Sequence, residues 1–194
     1  MAKLYFRYGA MGCGKSSALL QVAYNYNSKK MNVALIKSKT DLKADADIIS
    51  RVGLRRTVDY LLPPRAKIKR YIDLNNIDAI IVDEAQFLSP NQVNELYEIT
   101  KENNVPVLCY GLRCDFKMES FPGSRRLLEI ADEIEELKTI CKCGKKATQN
   151  MRLKNGVPIF EGEQVLIDGQ KDEITYEAVC GKCYLEAKKK SREV

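Results

Sequence analysis

The sequence predicts an α/β fold in which helices pack against a mainly parallel sheet. An aromatic-rich run typical of a strand (residues 4–8) precedes a segment with apolar residues at helical spacing (15–27), and a second apolar run (33–36) follows. Two more apolar runs of strand length occur at 80–84 and 105–110. This alternation of strand and helix is typical of a parallel sheet with right-handed crossovers.

Local patterns predict the remaining elements. Residues 37–64 are mostly polar and longer than an ordinary connection, which is typical of a functional or mobile loop. The other elements are a helix over 65–74, a helix that begins at Ser89 and Pro90, a helix around 127–131, and a last strand over 134–140.

Length and composition limit the class of protein. With 194 residues, 45% of them hydrophobic, the chain can form one good core and a small second unit. No apolar run approaches the ~20 residues of a membrane span, and Met1-Ala2-Lys3 leads into a strand rather than a signal peptide, so we expect a cytoplasmic protein. Histidine is absent. Acid–base chemistry must therefore use carboxylates, lysines, tyrosines or thiols.

The positive charge is concentrated in one segment. The formal net charge is +6, and residues 51–70 contain seven basic residues and one acidic residue, which accounts for the whole surplus. A nucleic-acid-binding stripe is one interpretation. A solvated surface, or attraction of a small anionic ligand, is the more common meaning of such a cluster.

A glycine-rich segment follows the first predicted strand. It matches the pattern G-x-x-x-x-G-K-[ST] at every fixed position and comprises Gly9, Ala10, Met11, Gly12, Cys13, Gly14, Lys15 and Ser16. In this pattern backbone N–H groups surround phosphates, the lysine charge reaches the β- and γ-phosphates, and the hydroxyl binds magnesium. The alternative is an ordinary glycine-rich turn, but the strand before it and the helix after it favour a phosphate site. A nucleoside triphosphate is therefore the first ligand to expect.

Two acidic residues end the third apolar run. Asp83 stands where a Walker B aspartate would hold magnesium, and Glu84 would face the same crevice because ligands bind beyond the carboxyl ends of parallel strands. A surface carboxylate that caps the next turn is the alternative. Glu84 as a base would act either on water, as in an ATPase, or on a substrate hydroxyl, as in a kinase. The residues up to this point leave both open.

Four of the seven cysteines form two close pairs. Cys141 and Cys143 are separated by one residue, Cys180 and Cys183 by two, and 36 residues lie between the pairs. Four thiolates suit a closed, tetrahedral, structural zinc site, with buried unliganded thiols as the alternative. The other cysteines, Cys13, Cys109 and Cys114, are interpreted as small apolar or loop residues.

Taken together, the motifs resemble one family, the type II thymidine kinases. The resemblance rests on the phosphate loop, the zinc cysteines, and four further segments: Asp83-Glu84-Ala85-Gln86-Phe87, Gly111-Leu112-Arg113-Cys114-Asp115-Phe116, Ser50-Arg51-Val52-Gly53 and Gly162-Glu163-Gln164-Val165. Their order and spacing cover essentially the whole chain.

The resemblance implies roles for individual residues. Glu84 matches the general base that takes the proton from the 5′-hydroxyl of thymidine, and Asp83 and Ser16 match magnesium residues. Ala85 and Gln86, with Asp83 and Glu84, match a segment that lines the nucleotide site beside the phosphate loop. The thymine pocket is matched by Met11, Phe87, Leu112, Phe116 and Phe121. Residues 153–179 resemble a lasso loop over the nucleoside, with Leu166, Ile167 and Tyr176 as expected contacts.

The resemblance also implies architecture, ligands and partners. We expect a P-loop (RecA-like) parallel-sheet domain over 1–140 and a small zinc-binding domain with the lasso over 141–194. The expected ligands are thymidine, ATP, Mg²⁺ and a structural Zn²⁺, with dTTP as feedback inhibitor. A homotetramer is expected, with no nucleic-acid polymer and no membrane as partner.

The alternatives are a P-loop ATPase with a zinc ribbon that acts on nucleic acid, and a zinc-ribbon nucleic-acid-binding module. The chain has no room for the second RecA-like unit of a motor, and a pure binding module leaves the phosphate loop without a role.

The sequence departs from the family pattern at two positions. The family often has an aspartate followed two residues later by arginine, whereas here Asp41 is followed by Leu42 and Lys43. Lysine keeps the charge but lacks the planar fork of arginine. The last zinc ligand is histidine in many members and Cys183 here, an exchange that preserves tetrahedral coordination.

Overall fold

The computed structural model describes residues 1–39, 46–164 and 174–192. These residues form the strands β1 Leu4–Tyr8, β2 Val33–Ser38, β3 Asp47–Ile49, β4 Arg55–Thr57, β5 Tyr60–Leu62, β6 Ala79–Asp83, β7 Val107–Gly111, β8 Glu133–Glu136, β9 Thr139–Ile140, β10 Lys146–Ala147, β11 Gln149–Lys154, β12 Val157–Ile159 and β13 Ile174–Val179. The helices are α1 Lys15–Ser28, α2 Ile68–Tyr71, α3 Pro90–Glu102, α4 Pro122–Ile130 and α5 Gly181–Lys190.

The central sheet has six strands in the order β5-β2-β6-β7-β1-β8, and every neighbouring pair is parallel. All five residues of β6 and of β7 are buried, as expected for central strands covered on both faces. The carboxyl ends of β1 and β6 lie at the same edge of the sheet. The prediction of a parallel α/β fold is confirmed.

Alternate residues of the strands enter two different cores. Phe6, Ile80 and Val82 pack with α3 and α4 on one face, and Leu35 and Ile81 pack with α1 on the other. Helix α3 begins as predicted, because Ser89 and Gln92 form a capping box and Pro90 occupies the first turn. Helices therefore cover both faces of the sheet.

The prediction of a long loop over 37–64 is wrong for much of its length. β3 and β4 form an antiparallel hairpin, and β5 is an edge strand of the central sheet. These strands have only three residues each, so they lack a measurable alternation. The Asp47 carboxylate stabilises the hairpin by accepting hydrogen bonds from Arg55 Nε and Thr57 Oγ1 at 2.6 Å each.

Two other elements differ from prediction. The helix predicted over 65–74 is limited to α2, and the strand predicted over 134–140 is divided into β8 and β9. β8 belongs to the central sheet, whereas β9 pairs with β10 in a separate two-stranded sheet.

A smaller unit follows the central sheet. β12, β11 and β13 form an antiparallel sheet that packs with α5 around Met151, Leu153, Val179 and Tyr184. A domain division at residue 140 stays a prediction. In the described part of the chain, no helix combines the length and the apolar character that a membrane crossing requires.

Candidate active site

The phosphate loop connects β1 to α1. Gly14 is the N-cap of α1 and has a φ of 84°, a left-handed conformation that favours glycine because it has no Cβ. The Gly9 N–H donates to the Gly111 carbonyl at 3.3 Å and the Cys13 N–H donates to the Ala10 carbonyl at 3.3 Å. The loop is therefore folded on itself and tied to the end of β7.

The Lys15 ammonium lies inside this loop. Lys15 Nζ donates to the Gly9 carbonyl at 3.3 Å and to the Ala10 carbonyl at 3.1 Å. The N-terminus of α1 and the lysine charge make this loop favourable for an anion.

The acidic strand end lies beside the loop. Asp83 is 5% exposed. Burial, together with the neighbouring Glu84 carboxylate, raises the pKa of Asp83 to about 7. Glu84 is only partly buried and has a φ of 52°, a value uncommon for residues other than glycine. The chain thus turns sharply after β6, so that the Asp83 side chain is buried whereas the Glu84 side chain remains partly exposed.

Gln86 positions the Glu84 side chain. Gln86 Nε2 donates to Glu84 Oε2 at 2.5 Å, and the Leu112 N–H donates to Gln86 Oε1 at 3.1 Å. Gly111 permits this arrangement, because a Cβ at that position would lie 2.7 Å from Gln86 Oε1. The amide of Gln86 therefore connects the ends of β6 and β7.

Two cavities meet at Glu84. One, of about 260 Å³, is lined by the phosphate loop and by the residues that follow β3. The other, of about 190 Å³, is lined mainly by aromatic and amide side chains. Met11, Glu84 and Leu112 line both. The acidic side chain therefore stands on the wall that the phosphate cavity shares with the aromatic cavity.

The aromatic cavity contains all the predicted pocket residues that the structure describes. These are Met11, Phe87, Leu112, Phe116, Phe121 and Tyr176. The rings of Phe87 and Phe121 are edge to face, with centroids 5.5 Å apart, a favourable aromatic geometry. The predicted contacts Leu166 and Ile167 lie outside the described residues, as do Asp41 and Lys43.

Arg152 on β11 is the largest fully buried side chain of the described chain. Its Cζ lies 3.6 Å from the Phe116 ring centroid and 5.3 Å from that of Tyr176. The guanidinium donates to the Tyr176 hydroxyl at 2.9 Å and to the carbonyls of Glu163 and Gln164 at 2.8 and 3.0 Å. One side chain thus connects the cavity wall to three residues of the segment that resembles the lasso.

Asn150, also on β11, joins the small sheet to the phosphate loop. The Met11 N–H donates to Asn150 Oδ1 at 2.8 Å, and Asn150 Nδ2 donates to the Cys114 carbonyl at 3.1 Å. The residue is 6% exposed. The amide therefore holds Met11 at the boundary of the two cavities.

The four predicted zinc cysteines are together. Their sulfur atoms all lie within 4.8 Å of one another, and a Zn–S bond of about 2.3 Å requires tetrahedral edges of about 3.8 Å. A tight turn brings the first pair together, since the Gly144 N–H donates to the Cys141 carbonyl and the Cys141 N–H to the Lys145 carbonyl, both at 2.8 Å. The donor set and spacing fit a four-coordinate metal.

Hydrogen bonding within the cluster gives its thiols different pKa values. Backbone N–H groups of Cys143 and Cys180 lower the pKa of Cys141 to about 6, which favours the thiolate that binds metal. The Cys183 thiol hydrogen-bonds to its sulfur neighbours, and this raises the pKa of Cys183 to about 12. Metal binding at all four sulfurs would therefore displace the Cys183 proton.

The residues predicted to bind the nucleotide do not all line the phosphate cavity. The phosphate cavity is lined by Met11, Gly12, Gly14, Lys15, Ser16 and Glu84. Gln86 lines the aromatic cavity, and Ala85 is buried in the core against β6 and β7. Gly9, Ala10, Cys13 and Asp83 line neither of these two cavities.

Sequence reasoning missed several polar residues of the site. Arg51 lies over the phosphate loop, with its Nη1 3.0 Å from where a Cβ on Gly12 would be, and it lines the phosphate cavity. Its signals were its place in the basic segment and in the segment Ser50-Arg51-Val52-Gly53, and Asp115 likewise lies in one of the segments that resemble the family, although neither was assigned a role. Asn150 and Arg152 have no sequence signal of their own, because distant parts of the chain supply their partners.

Comparisons with known proteins identify the family of the chain. Residues 2–184 match the family model described as thymidine kinase. The thymidine kinase of Chromobacterium violaceum is 44% identical over 189 residues, covering 95% of this chain and 98% of that protein. The thymidine kinase of Legionella pneumophila strain Lens is 46% identical over 188 residues, covering 93% and 88%.

Among solved structures, the Pif1 helicase from Candida albicans matches 72% of this chain and 36% of its own, at 16% identity and a TM-score of 0.42. A match of this extent supports no conclusion about function. The family model and the relatives, by contrast, cover nearly the whole chain. The chain therefore belongs to the thymidine kinase family.

Proposed function

We propose that the protein transfers the γ-phosphate of ATP to the 5′-hydroxyl of thymidine and forms dTMP. The observation that carries this proposal is the location of Glu84 on the wall common to the phosphate cavity and the aromatic cavity. A base in that position reaches a hydroxyl group held on the aromatic side as it attacks a phosphate held on the other side.

The phosphate cavity would hold ATP. The backbone N–H groups of the loop and the N-terminus of α1 would surround the phosphates, with Lys15 as the cation nearest to the transferred group. Arg51, across the cavity, would add a planar, bidentate donor. Ser16 would hold magnesium, and Asp83, which does not line the cavity, would act on it through water; the metal would neutralise the charge that develops on the phosphates.

The aromatic cavity would hold thymidine. Phe87, Phe116, Phe121 and Tyr176 offer flat apolar surface for a base. Such a cavity favours a kinase over an ATPase, because a bound nucleoside displaces the water that would otherwise attack the phosphate. Glu84 would then take the proton of the 5′-hydroxyl, and Gln86 would keep the carboxylate oriented.

The proposed reaction is tested by incubation with ATP, magnesium and each nucleoside in turn. We expect dTMP and ADP to form in equal amounts with thymidine. The absence of dTMP, combined with phosphate release stimulated by single-stranded DNA, would instead identify a nucleic-acid-dependent ATPase with a zinc ribbon. A Lys15→Ala variant, which lacks the phosphate-binding charge, controls for contaminating kinases.

The four cysteines would hold one structural zinc ion in the small domain. Because all four positions are filled by protein, no position remains for substrate or water. The metal would clamp the β9–β10 hairpin to the N-terminus of α5, on the two sides of the lasso segment. This arrangement lowers the entropy lost when the segment closes over a nucleoside.

Metal removal should therefore unfold the small domain. We expect one zinc per chain, and we expect chelation to abolish both activity and the near-ultraviolet signal of Tyr184, which packs in the same core. Cys143→Ser should lose zinc, whereas Cys114→Ser, outside the cluster, should retain it. A zinc-free protein that is fully folded and active would refute this role.

Feedback inhibition by dTTP is proposed from the resemblance to the family, and the two cavities are compatible with it. A molecule that carries thymine and a triphosphate can occupy the aromatic cavity and reach the phosphate side past Glu84. The homotetramer is proposed from the resemblance to the family, and the cytoplasmic location from the sequence pattern of the N-terminal segment and the lack of a long apolar run.

A further inference from the structure

The loop after β7 contains a buried carboxylate, Asp115, which is 3% exposed. One of its oxygens organises the loop. The N–H groups of Lys117 and Glu119 donate to Asp115 Oδ1 at 2.8 and 2.9 Å. The Asp115 N–H donates to the Glu119 carbonyl at 2.9 Å. The side chain is therefore held in one orientation by its own turn.

The other oxygen, Oδ2, is also buried and has no hydrogen-bond partner among the residues that the structure describes. Removing a carboxylate oxygen from water without a partner is costly. Buried polar atoms are nearly always paired in folded proteins, so an exception requires an explanation.

The location of Asp115 supplies that explanation. Asp115 lines the aromatic cavity next to Phe116. Two of the three amides that line the same cavity are engaged with protein, Asn150 with Met11 and Cys114, and Gln86 with Glu84 and Leu112; the third is Gln164. Asp115 Oδ2 is thus an unpaired acceptor on a residue that lines the cavity.

We propose that Asp115 Oδ2 accepts a hydrogen bond from the nucleoside and makes Asp115 a specificity-determining residue. This inference rests on the proposed function, because it takes thymidine as the occupant of the cavity. Thymidine offers two donors besides the 5′-hydroxyl: the imide N3–H of the base and the 3′-hydroxyl of the sugar. A site with a buried unpaired acceptor rejects analogues that lack the matching donor.

The test combines a protein variant with ligand analogues. Asp115→Asn keeps an oxygen for the turn but replaces the free acceptor with an NH₂ donor. The substrates are thymidine, 3-deazathymidine, which has C–H in place of N3–H, and 3′-deoxythymidine. The matched control is Glu119→Gln, in the same turn but exposed and outside the cavity.

We expect one analogue to raise the KM of the wild-type protein by about 10- to 100-fold, the loss typical of one hydrogen bond to a charged group. Asp115→Asn should raise the KM for thymidine by a similar factor. The KM of this variant for the same analogue should then exceed its KM for thymidine by no more than about twofold. The kcat at saturation should change little, and Glu119→Gln should behave as wild type. The analogue that is affected identifies the donor.

The inference fails if the wild-type protein uses both analogues as well as thymidine, a result that needs no variant. It also fails if the rise in KM from thymidine to each analogue is as large for Asp115→Asn as for the wild-type protein. Failure of the proposed function is a different result, because the wild-type protein would then form no dTMP.

Discussion

Replacement of Glu84 with glutamine is expected to lower kcat by about 10²-fold or more, while the KM values for ATP and thymidine change little. Glutamine has the same shape as glutamate, and its side-chain oxygen can still accept the hydrogen bond that Gln86 donates. It cannot take a proton at neutral pH. The variant therefore removes the base and leaves the wall of the two cavities in place.

The backbone supports a functional role for Glu84. Its φ of 52° places a residue other than glycine in a sparsely populated conformation directly after a strand whose five residues are all buried. Such conformations persist where the surrounding structure imposes them, and they concentrate at functional sites. The turn brings the side chain to the boundary between cavities, whereas Asp83 stays buried behind it.

The experiment compares Glu84→Gln, Glu84→Asp and Glu98→Gln in single-turnover assays at saturating substrates. Glu84→Asp keeps a base but withdraws it by one methylene, so we expect an intermediate rate. Glu98 lies on α3 and is half exposed beside Lys69, so its variant should match the wild-type protein. Near-normal turnover of Glu84→Gln would exclude Glu84 as the base.

Much of the fold was predictable because its signals are local. The central strands are continuous apolar runs, α3 starts at a capping box, and the glycine-rich loop has a fixed pattern. The four cysteines were also readable from spacing, and their sulfur atoms are together. Each of these features depends on residues that are close in the sequence, and the cysteines, although 36 residues separate their two pairs, are readable because each pair is local.

The elements that were missed depend on long-range contacts. β5 becomes a strand because it pairs with β2, more than twenty residues earlier, and three residues carry no periodic pattern of their own. Asn150 is a site residue only because β11 places it against Met11. Asp115 is notable only because one of its oxygens is unpaired in a cavity. None of these relations can be derived from local sequence.

Arg152→Leu is expected to lower kcat/KM for thymidine by about 10²-fold and to leave the KM for ATP within about threefold. Arg152 donates three hydrogen bonds and stacks on Phe116. Hydrogen bonds from a charged donor contribute about 1.5–3 kcal/mol each, and a buried cation–π contact contributes about 2 kcal/mol. These terms are not additive, and a net loss of about 3 kcal/mol corresponds to the expected 10²-fold.

The reason for a selective effect is the position of Arg152. It contacts Glu163, Gln164 and Tyr176, all within the lasso segment, and it stacks on Phe116 in the wall of the aromatic cavity. The phosphate cavity contains none of these residues. Loss of the guanidinium should therefore disturb the nucleoside side and spare the ATP side. A structural role elsewhere in the fold would affect both substrates alike.

The measurement varies each substrate in turn and records the melting temperature and zinc content of every variant. Arg152→Lys keeps the charge but loses the planar fork, so it should fall between the wild type and Arg152→Leu. Arg125→Leu, at an exposed position of α4, makes the same substitution outside both cavities and should have wild-type kinetics. Equal losses of kcat/KM for thymidine and for ATP, or a wild-type kcat/KM for Arg152→Leu, would contradict a selective role of Arg152 on the nucleoside side. A selective loss for thymidine with zinc retained would identify Arg152 as the residue that positions the lasso segment over the nucleoside.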